Sequence, residues 1–269
     1  DVYKRQAQRN ISCNLFWLMI KNNYSQELSY AVDAALNAGK YLLKNKSKLN
    51  VRIESRPKDT KLQADVEAEN LIKQSISCIS KYPILAEESG KSVENLGDIF
   101  WVIDPLDGTA NFSRDIPICC VSIGLVCNMK PILGVIYDFN NDDLYKANNI
   151  TKEAFLNNKE IEVSKIDSKN EAVLVTGLPV NTNYENDSLK KMIEDMQTWK
   201  KVRMIGSAAI ASCYIASGKA ELYKENGVFL WDIIAGAAII ESSGGNAKIN
   251  NVKDNFQVDI VFSNSYISE

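Results

Sequence analysis

The sequence predicts an α+β protein in which layers of helix and sheet alternate, with two halves meeting near residue 170. Two patterns carry that expectation. Before residue 170, β-rich runs follow one another through short polar turns, as antiparallel neighbours do. After it, strand and helix signals alternate. At 269 residues, with 45% hydrophobic and 24% charged side chains, the chain can form one large domain or two closely packed halves. We divide it into an extension outside the fold at 1–23, an N-terminal half at 24–170 and a C-terminal half at 171–269.

The extension holds an apolar run, Leu15–Ile20, far shorter than the roughly 20 residues of a membrane helix. Lys21, Asn22 and Asn23 stand where a secretory cleavage site would need small residues. From Gln26 to Asn45, Leu28, Val32, Ala35, Leu36, Gly39, Leu42 and Leu43 recur at helical spacing, with Ser25 as candidate N-cap. Val51–Ile53 reads as a short strand, Pro57–Asp59 as a turn, and Gln63–Ser80 as a second helix with Asp65 in its first turn. Ile84–Ala86 is a strand ending at Glu87 and Glu88.

Phe100–Ile103 is a strand that delivers Asp104 and Asp107 into a turn stiffened by Pro105 and relaxed by Gly108. Ile118–Val126 and Pro131–Tyr137 read as a hairpin of buried strands, and Leu144–Ala147 and Glu160–Val163 continue the sheet. Past residue 170 come a strand at Ala172–Gly177, a helix at Glu185–Gln197, a strand at Lys201–Met204 and a helix opening at Gly206. Ala220–Tyr223 is a further strand, with Glu225 in the loop after it. An Ala- and Ile-rich helix starts at Trp231 and Asp232, and Ile260–Asn264 is the last strand.

The formal charge of -3 supplies no basic field for nucleic acid, and no apolar run spans a membrane. Histidine is absent, which removes every mechanism with an imidazole base and makes a typical zinc site a poor fit. A base must then be a carboxylate, a hydroxyl or a metal-bound water. Cys13, Cys78, Cys119, Cys120, Cys127 and Cys213 show no C-x-x-C spacing, so we expect reduced thiols in a cytoplasmic protein.

Asp104 and Asp107 place hard oxygen ligands at one turn, beside the Gly108 and Thr109 amides that can meet an anion. An ordinary Asp-rich turn would use the same residues. Glu87 and Glu88 repel unless a cation lies near them. The amides opening the helix at Ser207 and Ala208 could face a substrate anion or hydroxyls, or serve close helix packing only. Asp232 alone would be read as a helix cap.

Asp104-Pro105-Leu106-Asp107-Gly108-Thr109-Ala110-Asn111-Phe112 resembles the signature of the inositol monophosphatase family of metal-dependent sugar phosphatases. Leu85-Ala86-Glu87-Glu88-Ser89 is similar to its Glu-Glu-Ser segment, and Trp231-Asp232-Ile233-Ile234-Ala235-Gly236 to its Trp-Asp-x-x-Ala-Gly motif. The resemblance runs from about Gln26 to Asn264 and implies an αβαβα sandwich of the sugar-phosphatase type. It implies a phosphoric monoester hydrolase acting on a small polyol or sugar phosphate, inositol monophosphate first. Fructose-1,6-bisphosphate, a 3'(2'),5'-bisphosphate nucleotide, or a catalytically silent binding protein are the alternatives.

By the same resemblance the N-terminal half carries most metal ligands, while the C-terminal half contributes Asp232 and substrate contacts. One Mg2+ falls to Glu87, Asp104 and the Leu106 carbonyl, and a second to Asp104, Asp107 and Asp232; a third near Glu87 and Asp65 is weaker, and Mn2+ can stand in. Asp65, Thr109 and Glu87 are implied as catalytic, and Asp107, Gly108, Thr109, Ala208 and Glu225 as substrate-binding. The chain departs from the family at Leu62, where a Thr or Ser usually precedes Asp65 by three positions. Lithium sensitivity and a homodimer are implied too, and so is a further helix beyond Asn264.

Overall fold

The computed structural model describes residues 23–56, 59–178 and 185–267. The apolar run at 15–20, Cys13 and the 57–58 part of the expected turn lie outside the described residues. The chain opens with helix α1 (Ser25–Leu49), strands β1 (Arg52–Arg56) and β2 (Asp59–Leu62), and helix α2 (Gln63–Ser77). α1 buries Ala31, Ala34, Ala35, Ala38 and Leu42 on one stripe, the spacing that an amphipathic helix presents to a core. β1 and β2 pair antiparallel as a separate two-stranded ribbon.

An eight-stranded sheet follows, built from β3 (Ile84–Ala86), β4 (Gly90–Lys91), β5 (Ile99–Asp107), β6 (Cys120–Cys127), β7 (Lys130–Asp138), β8 (Asp143–Asn148), β9 (Glu153–Leu156) and β10 (Lys159–Glu160). Its order is β10-β9-β8-β7-β6-β5-β3-β4, and β3 runs parallel to β5 while the other neighbours are antiparallel. A short helix α3 (Thr109–Ser113) leaves the end of β5. The second sheet has order β12-β11-β13-β15-β14, from β11 (Val173–Thr176), β12 (Lys201–Arg203), β13 (Leu222–Phe229), β14 (Asn246–Asn250) and β15 (Gln257–Ser263). Helices α4 (Asn186–Met196), α5 (Ala208–Ala216) and α6 (Leu230–Ser242) complete the chain.

The large sheet is covered on both faces, which is why its strands read as unbroken apolar runs. Trp101 and Ile103 of β5 pack with the α1 and α2 layer, whereas Phe100 and Val102 join α5 and α6 between the two sheets. Period-two alternation thus feeds two cores from one strand. α6 is apolar all round because sheets lie on both sides of it. It sits close against the cross-strand pair Gly124 and Gly134, where a Cβ on Gly134 would come within 2.1 Å of the Ala235 carbonyl. Beyond the small sheet, Met196 of α4 packs on Leu174 and Leu222. The layers run helix, sheet, helix, sheet, helix, as the sequence predicts. No helix among the described residues is long and apolar enough to cross a membrane.

Several boundaries differ from expectation. Ser25 is not the N-cap of α1: Tyr24 takes that position with φ 48°, and Ser25 is the first helical residue. α2 ends at Ser77 rather than Ser80. Asp59 belongs to β2, opposite Arg56, rather than to a turn. The strand expected at Glu160–Val163 stops at Glu160; the Val163 amide bonds the Ser243 carbonyl, so the chain leaves the sheet edge to pass the end of α6. Glu225 lies in β13 opposite Ile260, not in a loop. β13 continues past Glu225 and takes in Asn226 and Gly227 through a register shift between Asn226 and Val228, with Gly227 at φ 75°.

Candidate active site

Asp65 and Asp232 use the same local device. Each is the third residue of its helix and turns back to the amide just before the helix begins. Asp65 Oδ2 accepts from Leu62 N at 2.6 Å, and Asp232 Oδ2 accepts from Phe229 N at 2.8 Å. A carboxylate there satisfies an amide with no partner inside the helix and sits on the positive end of the helix dipole. Asp107 meets a third helix start from outside. Its Oδ2 accepts from Ser207 Oγ at 2.5 Å and Ala209 N at 2.7 Å, and its Oδ1 from Ala208 N at 3.3 Å.

β5 does not end at Asp104, where the sequence suggests; it continues to Asp107 through a bulge. Asp104 is opposite Ser122 and Asp107 opposite Cys120, so one strand fits an extra residue between the two acids. Pro105, which has no amide to give, falls in that irregular stretch, and Leu106 N donates to Asp104 Oδ1 at 2.9 Å. Gly108 follows with φ 91°, a conformation suited to glycine, and a Cβ there would lie 2.7 Å from the Ile118 carbonyl. Glu87 is brought alongside by the parallel pairing of β3 and β5, with its amide 3.1 Å from the Ile103 carbonyl.

The result is an acidic cluster. Burial raises the pKa of Glu87, Asp104, Asp107 and Asp232, and at Glu87, Asp104 and Asp232 the charges of neighbouring carboxylates add to the shift. Hydrogen bonds from Ser207 and the Ala208 and Ala209 amides oppose the shift at Asp107. Glu87 and Asp232 are only partly buried, yet the surrounding protein excludes enough water to push both upward. The Glu87 and Asp104 side chains are hydrogen-bonded to each other. Among the described residues no Lys or Arg pairs with any of the four. Glu88, by contrast, turns away to an ion pair with Lys61, and its amide bonds Glu69 Oε2 at 2.8 Å.

Thr109 Oγ1 lies 2.8 Å from Asp65 Oδ1 and 3.0 Å from the Leu106 carbonyl, two acceptors for one proton. Burial pushes Asp65 up to about 7, against the hydrogen bonds from Leu62 and Thr109. Glu225 is raised by burial and by the charge of Asp107, and Tyr223 OH donates to its Oε2 at 2.9 Å. Gly177 leaves room for it, since a Cβ there would come within 2.3 Å of that carboxylate. Beside the acids opens a cleft of about 290 Å³, lined by Glu54, Lys61, Glu87, Thr109, Phe229 and Trp231 among others.

Sequence reasoning missed Ser207 as Asp107's partner. Its signal was an N-cap: the same hydroxyl accepts from Ile210 N at 3.2 Å. It also missed Asn111, whose side-chain amide donates to the Ile118 and Ile205 carbonyls, each at 2.8 Å, and so joins α3 to the approach to α5.

As they stand, no three His, Cys, Asp or Glu side chains among the described residues are arranged to hold a metal ion. The side chains explain this, because Asp107 and Asp232 are turned onto backbone amides and Ser207. The donor set itself fits a hard divalent cation: all oxygen, four carboxylates, without a basic partner. Rotation of these side chains within the existing backbone would be needed to complete a ligand shell.

An αβαβα sandwich with acids gathered at the ends of β3 and β5 is a fold of the sugar-phosphatase type. Residues 23–256 match the inositol monophosphatase family, and the chain belongs to that family. Inositol monophosphatase 1 of Rattus norvegicus is 32% identical over 232 residues, covering 81% of each chain. The Nus factor SuhB of Xylella fastidiosa is 35% identical over 218 residues, covering 80% of this chain and 78% of its own. The crystal structure of the extragenic suppressor protein suhB from Bartonella henselae superposes with a TM-score of 0.81 at 29% identity, over 90% of this chain and 95% of that one.

Proposed function

We propose that the chain is a Mg2+-dependent phosphatase of small polyol or sugar phosphate monoesters, with inositol monophosphate as the leading substrate. The observation that carries this is the gathering of Glu87, Asp104, Asp107 and Asp232 with no basic partner among the described residues. Glu87, Asp104 and the Leu106 carbonyl would hold one Mg2+, and Asp104, Asp107 and Asp232 a second; Glu87 and Asp65 could share a third, and Mn2+ would serve as surrogate. When bound, divalent cations supply charge neutralisation for the phosphate and its leaving oxygen and acidify water at neutral pH.

The chain's own groups do the rest. Thr109 donates its proton to Asp65 at 2.8 Å, which leaves the hydroxyl oxygen free to accept from an attacking water. Asp65, held at about 7, can take a proton near neutral pH. The Gly108 and Thr109 amides would hold the phosphate in line, and Asp107, Ala208 and Glu225 would meet substrate hydroxyls. With the family resemblance we also infer a cytoplasmic homodimer.

A second possibility, a binding protein that has kept the fold, is favoured by one observation: a relative at 35% identity is named a Nus factor. A phosphate-release panel with Mg2+ separates the two, using inositol 1-phosphate, fructose-1,6-bisphosphate and 3'-phosphoadenosine 5'-phosphate. Fastest release from inositol 1-phosphate supports the phosphatase as stated. A faster bisphosphate changes the substrate, and no release from any of the three favours the binding protein.

A further inference from the structure

The acid-lined cleft has an aromatic wall that the hydrolytic chemistry does not use. Phe229 ends β13 and Trp231 lies in the first turn of α6, and their rings stack with centroids 4.7 Å apart and planes only 5° apart. Phe256 leans on Trp231 from 6.5 Å at 53°, with Lys91 Nζ 5.2 Å from the Phe256 centroid. Trp231 therefore meets two rings. Phe229 has one only: among the described residues, Trp231 is the sole ring stacked on it. Both side chains are half-buried and border the same cleft as Glu87 and Thr109.

The wall is fixed in advance. Phe229 N is bonded to Asp232, and Leu230 N donates to the Phe256 carbonyl at 3.0 Å, so the backbone that carries the rings is tied on both sides. A rigid ring costs little ordering when a ligand lies on it. Its face carries the negative part of the aromatic quadrupole and attracts polarised C–H groups. A cyclitol or sugar ring presents several such groups on one flat side, whereas an open-chain polyol must first give up rotor freedom to do so.

We propose that Phe229 is a specificity-determining residue: the Phe229–Trp231 stack is a platform for a ring-shaped leaving group, which rests its C–H face on Phe229 while hydroxyls on its edge reach toward Asp107, Ala208 and Glu225. Ring phosphates are thereby preferred over open-chain ones. The assignment rests on the phosphatase function proposed above and deepens it.

The test compares inositol 1-phosphate with glycerol 1-phosphate for the unaltered protein, Phe229→Leu and Phe229→Tyr in Mg2+. Leucine keeps apolar bulk and loses the aromatic face, while tyrosine keeps the face. For Phe229→Leu the KM for inositol 1-phosphate is expected to rise about three- to tenfold, the size of one aromatic contact, with kcat within a factor of two. The preference over glycerol 1-phosphate shrinks with it, and Phe229→Tyr restores both. An unchanged KM and unchanged preference in Phe229→Leu would overturn the platform, with the phosphatase function intact. Should neither ester be hydrolysed, the phosphatase function fails and binding decides the platform. Trp231 fluorescence, isolated by subtracting the Trp231→Phe signal, is then expected to respond to inositol 1-phosphate at lower concentration than to glycerol 1-phosphate. Equal responses would overturn the platform.

Discussion

The Thr109 hydroxyl lies 2.8 Å from Asp65 Oδ1 and ties the first turn of α3 to the first turn of α2, two elements that share no secondary-structure pairing. If that contact aligns the attacking water, Thr109→Ala lowers kcat by about a hundredfold, the usual size of a positioned proton-transfer group. Mg2+ affinity by calorimetry stays within a factor of two or so, and Thr109→Ser recovers most of the rate. Turnover at the unaltered level in Thr109→Ala would remove Thr109 from the mechanism.

Asp107→Asn makes a different forecast. Asp107 accepts from Ser207, Ala208 and Ala209, so an amide there turns at least one donor onto a donor and weakens the anchor of α5. We expect a loss of about 1–3 kcal/mol in stability, the cost of leaving such a group unsatisfied, together with loss of one Mg2+ equivalent in calorimetry and of turnover. Binding of the full Mg2+ complement at the ordinary rate would contradict the role given to Asp107.

pH acts on the metal-free protein through Asp65. Its folded pKa is about 7 against an ordinary 3.8, so the folded state keeps a proton that the unfolded chain has lost. That stabilisation is complete below the unfolded value and disappears as pH rises through the folded one. Glu87, Asp104 and Asp232 shift in the same direction. Melting in the presence of EDTA is therefore expected at a lower temperature near pH 8 than near pH 5, with Mg2+ restoring the difference. A melting temperature that rises from pH 5 to pH 8 without metal would contradict this.

How much of this was legible in the sequence follows from physics. The runs at 120–127 and 130–138 were visible because both faces of their sheet are buried, and the acids at 87, 104, 107 and 232 because their motifs are local. β2 was not, since the four residues Asp59–Leu62 include a single apolar one and so carry no apolar alternation. Glu225 was misplaced because a bulge and a turn both use Asn-Gly. The contact between Ser207 and Asp107, a hundred residues apart in sequence, exists only once the start of α5 has come to the end of β5.

Gly177 offers a check on Glu225 that leaves the acidic cluster alone. A methyl at this position would sit 2.3 Å from the Glu225 carboxylate and must displace it. Gly177→Ala is expected to cost about 1–3 kcal/mol, typical of overpacking, and to raise the KM for inositol 1-phosphate while Mg2+ binding persists. A KM equal to that of the unaltered protein would mean that Glu225 does not meet the substrate.

The most direct measurement is phosphate release from inositol 1-phosphate by the purified chain, with Mg2+ and then with excess EDTA. If Glu87, Asp104, Asp107 and Asp232 form a divalent-cation centre for phosphate-ester hydrolysis, phosphate appears with Mg2+, stops with EDTA and resumes when Mg2+ is returned. Release that continues undiminished in EDTA, or none at any Mg2+ concentration, would contradict that centre.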